Sequence, residues 1–402
     1  MLINRAYRYE LKPNKEQCIL LAKHAGAARF AYNWGLSQRM ASYEKDKSHT
    51  NAIKQHRLLN SLKQKSFPWM YEVSKCAPQE ALRDLDRAYQ NFFRAIKQGQ
   101  KVGFPKFKRK GIHDHFRLTG TIKIHKKSIQ LPRLGILRLK EETKVKGRIL
   151  SATISRQADR WYLSLAVELE LQAPEPVEGP KVGLDVGLTA FITTSDGEKI
   201  SAPKPLKHSI KKLRRLSKQH SRKKKGSNNC KKSAMRLARM HRKISNQRMD
   251  FHHKLSTQLA KTKSMIMIEN LDIKSMQQNR GLSQGIADAS WGGFLRMLEY
   301  KTKWYGSQLI QAPKYYPSSK LCSSCHTKAD HMPLSIRHWQ CEKCQTRHDR
   351  DINAAKNLLN FITESSSGIY ACGDPSCGIG QKPISNGSLK QELISGLFVH
   401  KL

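Results

Sequence analysis

The sequence is short of acid. Its 402 residues carry 31 Asp and Glu against 74 Lys and Arg, a formal net charge of +43. Self-repulsion on that scale, roughly one uncompensated positive charge per nine residues, works against a compact state unless a polyanion relieves it. An ordinary metabolic enzyme is excluded as the default. A nucleic-acid partner is the first expectation and an anionic membrane surface the second. Long hydrophobic runs are also missing. None approaches the ~18 consecutive apolar residues of a membrane span, and the opening MLINRAYRYELKPNKEQ lacks the apolar centre of a signal peptide. These absences predict a cytoplasmic, nucleoid-associated protein with no membrane partner. Full disulfide pairing within the chain is excluded as well, because nine cysteines is an odd number. Four of them form two C-x-x-C pairs, which in a reducing compartment point to metal.

What is present begins with alternation. Tyr7, Tyr9 and Leu11 share one face of residues 6–12, against Arg8, Glu10 and Lys12, and Pro13 ends the run as a strand would. A helical pattern follows from Glu16 to Tyr43, with Gly26 marking a break between two helices and Phe30, Tyr32 and Trp34 suited to core packing, with base stacking the alternative. Residues 77–98 read as an amphipathic helix, with Leu82, Leu85, Tyr89, Phe92, Phe93 and Ile96 in one stripe. The basic segment GFPKFKRK, with Lys106, Lys108 and Arg109 among aromatics, suits a nucleic-acid backbone with stacked bases, or a solvated loop.

Short β runs fill 117–169. Ile122/Ile124, Ile129/Leu131 and Ile136 mark them, and Trp161, Leu163, Leu165, Val167 and Leu169 alternate along the last. This spacing predicts a small N-terminal barrel, joined by the first strand, with the helices as an insertion. Pro174, Pro176 and Pro180 mark a domain boundary. Beyond it lie two apolar strands, VGLDVGL and SMIMIENL. Between them, residues 204–254 hold 19 Lys/Arg and one acid, Asp250. They read as two basic helices hinged at Gly226–Asn229, a phosphate-tracking surface through Lys211, Lys212, Arg214, Arg215, Arg222, Lys223, Lys224 and Lys225. The Ser/Gly-rich tail from Glu364 is expected to be disordered, and its Cys372 and Cys377 incidental.

Two constellations carry chemistry. Cys322-x2-Cys325, then fifteen residues, then Cys341-x2-Cys344 has zinc-ribbon spacing, and four thiolates complete a closed, structural Zn2+ site. His326, His331 and His338 lie close enough for one to replace a cysteine. The second constellation is acidic. Asp185 sits inside an apolar strand, Glu269 ends another, and Asp351 opens the helical HDRDINAAKNLL, where Ala354 and Ala355 permit close approach to a sheet. Singly, these acids read as a turn cap, a partner for an Arg on the basic helices, and a helix N-cap. Together they form a hard-oxygen set for divalent metal such as Mg2+. Two such ions about 3.5–4 Å apart would clamp both oxygens of a phosphodiester displacement. Asp349 is the chief rival of Asp351. Asp272 and Asp288 are weaker rivals, and Asp288 is expected to cap a helix starting near Ser290.

In order along the chain stand ARFAYNWGL, GFPKFKRK, GLDVGLTAFITTSDG, MIMIENL, SWGGFLRMLEYKTKWYG, YYPSSKLCSSC, CEKC and HDRDINAAKNLL. This ordered set resembles the TnpB family, the OrfB-type proteins of insertion sequences, themselves similar to type V CRISPR nucleases. The resemblance implies a multidomain α+β chain. Residues 1–15 and 101–173 would form a wedge-like β-barrel of OB type, and 16–100 a helical recognition insertion. After a linker at 174–181, a RuvC-like nuclease domain of RNase H-like fold would span 182–314. It would be interrupted by a zinc ribbon at 315–347 and completed by a helix at 348–363, ahead of the tail at 364–402. The resemblance also implies RNA-guided DNA cleavage, with Asp185, Glu269 and Asp351 as the three catalytic acids. A structured guide RNA, double-stranded target DNA beside a short adjacent motif, and the RNA–DNA heteroduplex would be its partners, with the element's transposase a functional associate. A DNA-binding repressor that does not cut and a strand-transfer transposase are the alternatives. A ribosomal-protein-like RNA binder would explain the charge but not the acids.

Overall fold

The computed structural model describes residues 2–333 and 335–366. In chain order the elements are β1 (Leu2–Glu10), α1 (Lys15–Asp46), α2 (Ala52–Ser66), α3 (Cys76–Lys97), β2 (His115–Leu118), β3 (Lys123–His125), β4 (Ser128–Leu131), β5 (Gly135–Arg138), β6 (Arg148–Gln157) and β7 (Arg160–Glu170). Then come β8 (Val182–Val186), β9 (Ile192–Thr194), β10 (Lys199–Ile200), α4 (Pro205–Ser221), α5 (Asn228–Thr262), β11 (Met265–Ile268), α6 (Ile273–Met276), α7 (Ser283–Ala289), α8 (Trp291–Tyr305), β12 (Gln308–Gln311), β13 (His338–Gln340), β14 (Arg347–Asp349) and α9 (Arg350–Ser366). The architecture is mixed α/β with separate cores in the two halves.

In the first half an antiparallel sheet of order β1-β7-β6-β2 stands beside a three-stranded sheet, β3-β4-β5. A bridge between Leu11 and Leu139 ties the two together. The first strand pairs along its whole length with the last, from Leu2 opposite Glu170 to Glu10 opposite Tyr162. On β5, Ile136 is 55% exposed and its neighbour Leu137 is fully buried. A short strand offers too few alternations to fix its face.

The break expected at Gly26 does not occur, and α1 runs unbroken for 32 residues. A single helical Gly costs only about 1 kcal/mol. Here Leu21, Ala25, Ala28 and Ala31, buried on the same helix, bind it to the core. Gly35 does the structural work instead. A Cβ there would lie 2.6 Å from Leu82 Cδ2, so its absence lets α1 and α3 cross closely. The stripe of α3 is only half used: Leu82 and Leu85 are buried, whereas Phe93 and Ile96 are about half exposed.

In the second half a mixed sheet has the order β10-β9-β8-β11-β12, with β8, β11 and β12 parallel. Its two faces are covered by different helices, as parallel strands require. Val182, Leu184, Ile266 and Ile268 pack with Leu255, Leu259, Phe294 and Leu298 of α5 and α8. Met267 instead packs with Leu358 of α9. The buried Lys301 staples α8 to α5, its Nζ donating to His253 O, Ser256 Oγ and Thr257 Oγ1 at 2.7–2.8 Å.

The segment expected to be a linker is seated. Val177 N donates to Gly306 O, a Cβ on Gly306 would stand 2.0 Å from Glu175 O, and one on Gly179 would stand 2.2 Å from Thr262 O. Helix α9 continues to Ser366, three residues into the stretch expected to be tail. Residues 367–402, with Cys372 and Cys377, lie outside the described residues.

Candidate active site and metal centre

Strand periodicity positions the first two acids. Neighbouring residues on a strand face opposite sides of the sheet. Because Val182 and Leu184 face α5 and α8, Gly183 and Asp185 face α9. By the same count, Met267 and Glu269 share that face. The last registered pair of the parallel strands β8 and β11 is Leu184 with Ile268, so Asp185 and Glu269 follow side by side. The third acid, Asp351, sits in the first turn of α9, which packs across β8, β9 and β11. That packing is very close. A Cβ on Gly183 would meet Ala355 O at 2.0 Å, and Ala354 and Ala355 are fully buried. The small residues expected on the helix thus have their counterpart on the strand.

Asp185 senses the other two carboxylates. The Asp185 carboxyl is pushed well up from the ordinary range, first by burial and then by the charges of Glu269 and Asp351, with Arg350 and Arg337 opposing. Burial also raises Glu269, against a hydrogen bond from Ser318 Oγ. Asp351 faces Arg337 Nη1 at 3.4 Å. The bland expectations for these residues fall to other partners. Glu269 takes Ser318 and no arginine of the basic helices, and the helix cap is Asp349, whose Oδ1 accepts from Asp351 N and Ile352 N at 3.1 Å. Burial would raise Asp349, but Lys199, 2.7 Å away, and those backbone donors hold it below the ordinary range. Asp288 does not cap the helix at Ser290. It accepts from Leu206 N and Lys207 N, capping α4, and lies 3.4 Å from Arg248. Asp272 caps the short α6 through Ser275 N.

The four cysteines draw closer than the acids. Among the described residues they are the one group of three or more potential metal ligands whose ligand atoms all lie within 4.8 Å. Sulfur pairs Cys322–Cys344 and Cys325–Cys341 are each 3.5 Å apart. The knuckles are near copies. Cys322 N donates to Thr327 O and Cys341 N to Thr346 O, and the residues after the second cysteines, His326 and Gln345, both adopt φ of +59°. Burial pushes the Cys322 thiol up to about 12, and hydrogen bonding with Thr327 draws Cys325 down to about 6. Four soft sulfurs in this arrangement fit a zinc ion. The histidine placed against the cluster is His348, its Nε2 3.1 Å from Cys322 Sγ.

Three asparagines that the sequence reading passed over fasten this ribbon to α9. Asn353 Nδ2 donates to Leu321 O, Asn357 Nδ2 to Ser318 O and Leu321 O, and Asn360 Nδ2 to Ser323 O. Their i, i+4, i+7 spacing on a helix otherwise buried through Ala and Leu is the signal that could have found them. Ser318 then links ribbon to acid, through its hydroxyl on Glu269.

The basic residues divide. Lys211, Lys212, Arg214, Arg215, Arg222, Lys223, Lys224 and Lys225 are exposed along α4 and the turn to α5, as are Lys106 and Arg109. Lys108 turns inward. Its Nζ stands 3.9 Å from the centroid of the Tyr32 ring, and its backbone exchanges hydrogen bonds with the Asn33 side chain.

Fold and site together define a mixed α/β, multidomain chain with a four-cysteine ribbon fit for zinc docked beside half-buried strand-end carboxylates. Comparison with known proteins places it further. Residues 164–280 match the OrfB_IS605 family, described as "Probable transposase", and 291–358 match the "Cas12f1-like, TNB domain" family. Residues 1–48 match a family described as "Helix-turn-helix domain", although they form one strand and one continuous helix. A "Putative RNA-guided DNA endonuclease" of Streptomyces pristinaespiralis is 34% identical over 383 residues, covering 92% of both chains. The "Putative RNA-guided DNA endonuclease InsQ" of Escherichia coli is 31% identical, covering 92% of this chain and 94% of its own. A solved Cas12f1–sgRNA–target DNA complex aligns over 89% of this chain with 16% identity and a TM-score of 0.36, too slight a likeness to bear on function. The chain belongs to the TnpB, or OrfB-type, family of insertion-sequence proteins. Among the described residues no helix is long and apolar enough to cross a membrane.

Proposed function

We propose that this protein is the RNA-guided DNA endonuclease of an insertion sequence, with Asp185, Glu269 and Asp351 as the carboxylates of a RuvC-like, Mg2+-dependent centre. The observation that carries the reading is the pair Asp185 and Glu269. In a protein with a charge of +43, two half-buried carboxyls stand side by side, and the charge of Glu269 adds to the desolvation that raises Asp185. Such a placement opposes stability and needs a cation. Hard oxygen donors suit Mg2+. When bound, the metal would supply charge neutralisation and an activated water at the phosphodiester. Asp185 and Glu269 would hold it from the sheet, Asp351 from the helix, and Ser318 would orient the Glu269 carboxylate.

The names of the two relatives support the guided-endonuclease reading. So does the division of charge: the exposed cations of α4 and of the following turn suit the phosphates of a guide RNA or its heteroduplex with target DNA. In the same reading, the two N-terminal sheets form the wedge barrel, α1–α3 form the recognition insertion, and the sheet with α9 forms the RuvC core around the ribbon. Target DNA is read beside a short adjacent motif, and the nucleoid is the working location.

The test is plasmid cleavage by the protein co-expressed with RNA from the flanks of its element. Wild type is expected to cut in Mg2+, and Asp185→Ala to lose cleavage almost completely while still binding RNA. A variant that cuts as well as wild type would overturn the assignment. Tight target binding without nicking in Mg2+ or Mn2+ would convert the reading to that of a repressor.

A further inference from the structure

A cavity of about 270 Å3 opens beside Glu269. Its walls come from two chain segments that follow the parallel strands β11 and β12: Glu269 to Asp272 with Ser275 and Met276, and Ala312 to Tyr316. One wall residue stands apart. Tyr315 is 85% exposed and adopts φ of +67°. A bulky side chain in the left-handed region is a true outlier, and such strain persists only where the surroundings impose it. The surroundings do so here. Ala312 N is tied to Ile268 O, and Tyr316 N to Pro313 O. The Tyr316 ring stacks edge-on with Phe361. Between these anchors Tyr315 is turned outward, with Lys314 Nζ 5.1 Å from its ring centroid.

An outward aromatic beside a cation, on the wall of a cavity that a candidate catalytic acid also lines, is the arrangement that receives a base and its phosphate together. Aromatic faces stack any base, and the neighbouring cation holds the backbone. We propose that Tyr315 is the stacking platform for one base of single-stranded DNA, that the base enters this cavity, and that this seats the adjoining phosphodiester at Glu269. The site rests on the nuclease reading above and adds to it a nucleotide subsite. Stacking needs the ring and not the hydroxyl, so Tyr315→Phe retains it and Tyr315→Ala abolishes it. The exposure of Tyr315 means that neither change threatens the core.

The experiment uses the full-length protein with its RNA. The probe is short single-stranded DNA carrying one 2-aminopurine, whose fluorescence falls when it stacks. In buffer without Mg2+ but with the zinc retained, so that nothing is cut, wild type and Tyr315→Phe are expected to quench the probe. Tyr315→Ala is expected to leave it bright and to bind about 5- to 150-fold more weakly. In Mg2+, kcat/KM for cleavage of the strand falls in Tyr315→Ala and is restored by Tyr315→Phe. Equal quenching by Tyr315→Ala, or none by wild type, overturns the subsite. A wild-type complex that quenches the probe but does not cut overturns the nuclease reading alone.

Discussion

Four sulfur atoms gather within 4.8 Å at the ribbon, whereas the three carboxylates beside it form no group so tight among the described residues. The difference lies in who does the assembling. Each knuckle brings its two cysteines from one turn of four residues, and local backbone hydrogen bonds set its geometry. The acids come from two strands and a helix up to 166 positions apart (185 to 351), and only tertiary packing brings them near. Half-buried carboxylates brought near one another repel, so the fold must hold them against their own charge.

The comparison can be broken hardest at Gly183. Gly183→Ala puts a Cβ where Ala355 O already stands, so α9 must retreat and carry Asp351 with it. Misplacing a reacting group by about 1 Å costs on the order of 100-fold in rate. Cleavage assays are expected to show that loss, while zinc content, set by the local knuckles, stays unchanged. Loss of zinc in this variant would show that the two clusters are not built independently.

Stripping the ribbon comes next. Cys341→Ser, or a strong chelator followed by Mg2+ alone, is expected to abolish bound zinc by elemental analysis. Cleavage should fall about tenfold, the rate equivalent of ~1.4 kcal/mol, near the low end for a hydrogen bond to a charged group. The path is Ser318, which the ribbon's docking on α9 holds against Glu269. Undiminished cleavage without zinc would remove the ribbon from the support of that acid.

The smallest effect is on stability. The raised pKa of Asp185 means that the folded chain binds its proton more tightly than the unfolded chain does. Stability therefore falls as pH rises from the ordinary carboxylate range, near ~3.9, through the raised value. Asp185→Asn removes that penalty. In metal-free buffer, its urea midpoint is expected to exceed that of wild type at neutral pH, and the gap to close on acidification. A gap independent of pH would mean that the carboxylates are not in conflict.

How much of this could be read from the sequence follows the same division. The cysteine spacing was sufficient because the ribbon is local. The strand faces of Asp185 and Glu269 follow from counting by twos. What could not be read was contact between distant segments: Gly183 against Ala355, Ser318 on Glu269, and Asp288 on α4 instead of at Ser290. Charge alone did not reveal direction either, since Lys108 lies among exposed cations yet folds under Tyr32. The Gly26 break failed because local preference was overridden by a helix face rich in buried Ala and Leu.

The seated segment at 174–181 bears on how such chains could be recombined. A Pro-rich stretch between two cores looks like the natural place to join halves of different relatives. Here Gly179 and Gly306 hold it in backbone-to-backbone contact with the second half. A chimaera cut there must inherit Thr262 and Gly306 from the same parent as the segment. The exposed turn between α4 and α5, with Gly226 at its centre and no atom within 4 Å of a Cβ placed there, is the more forgiving seam.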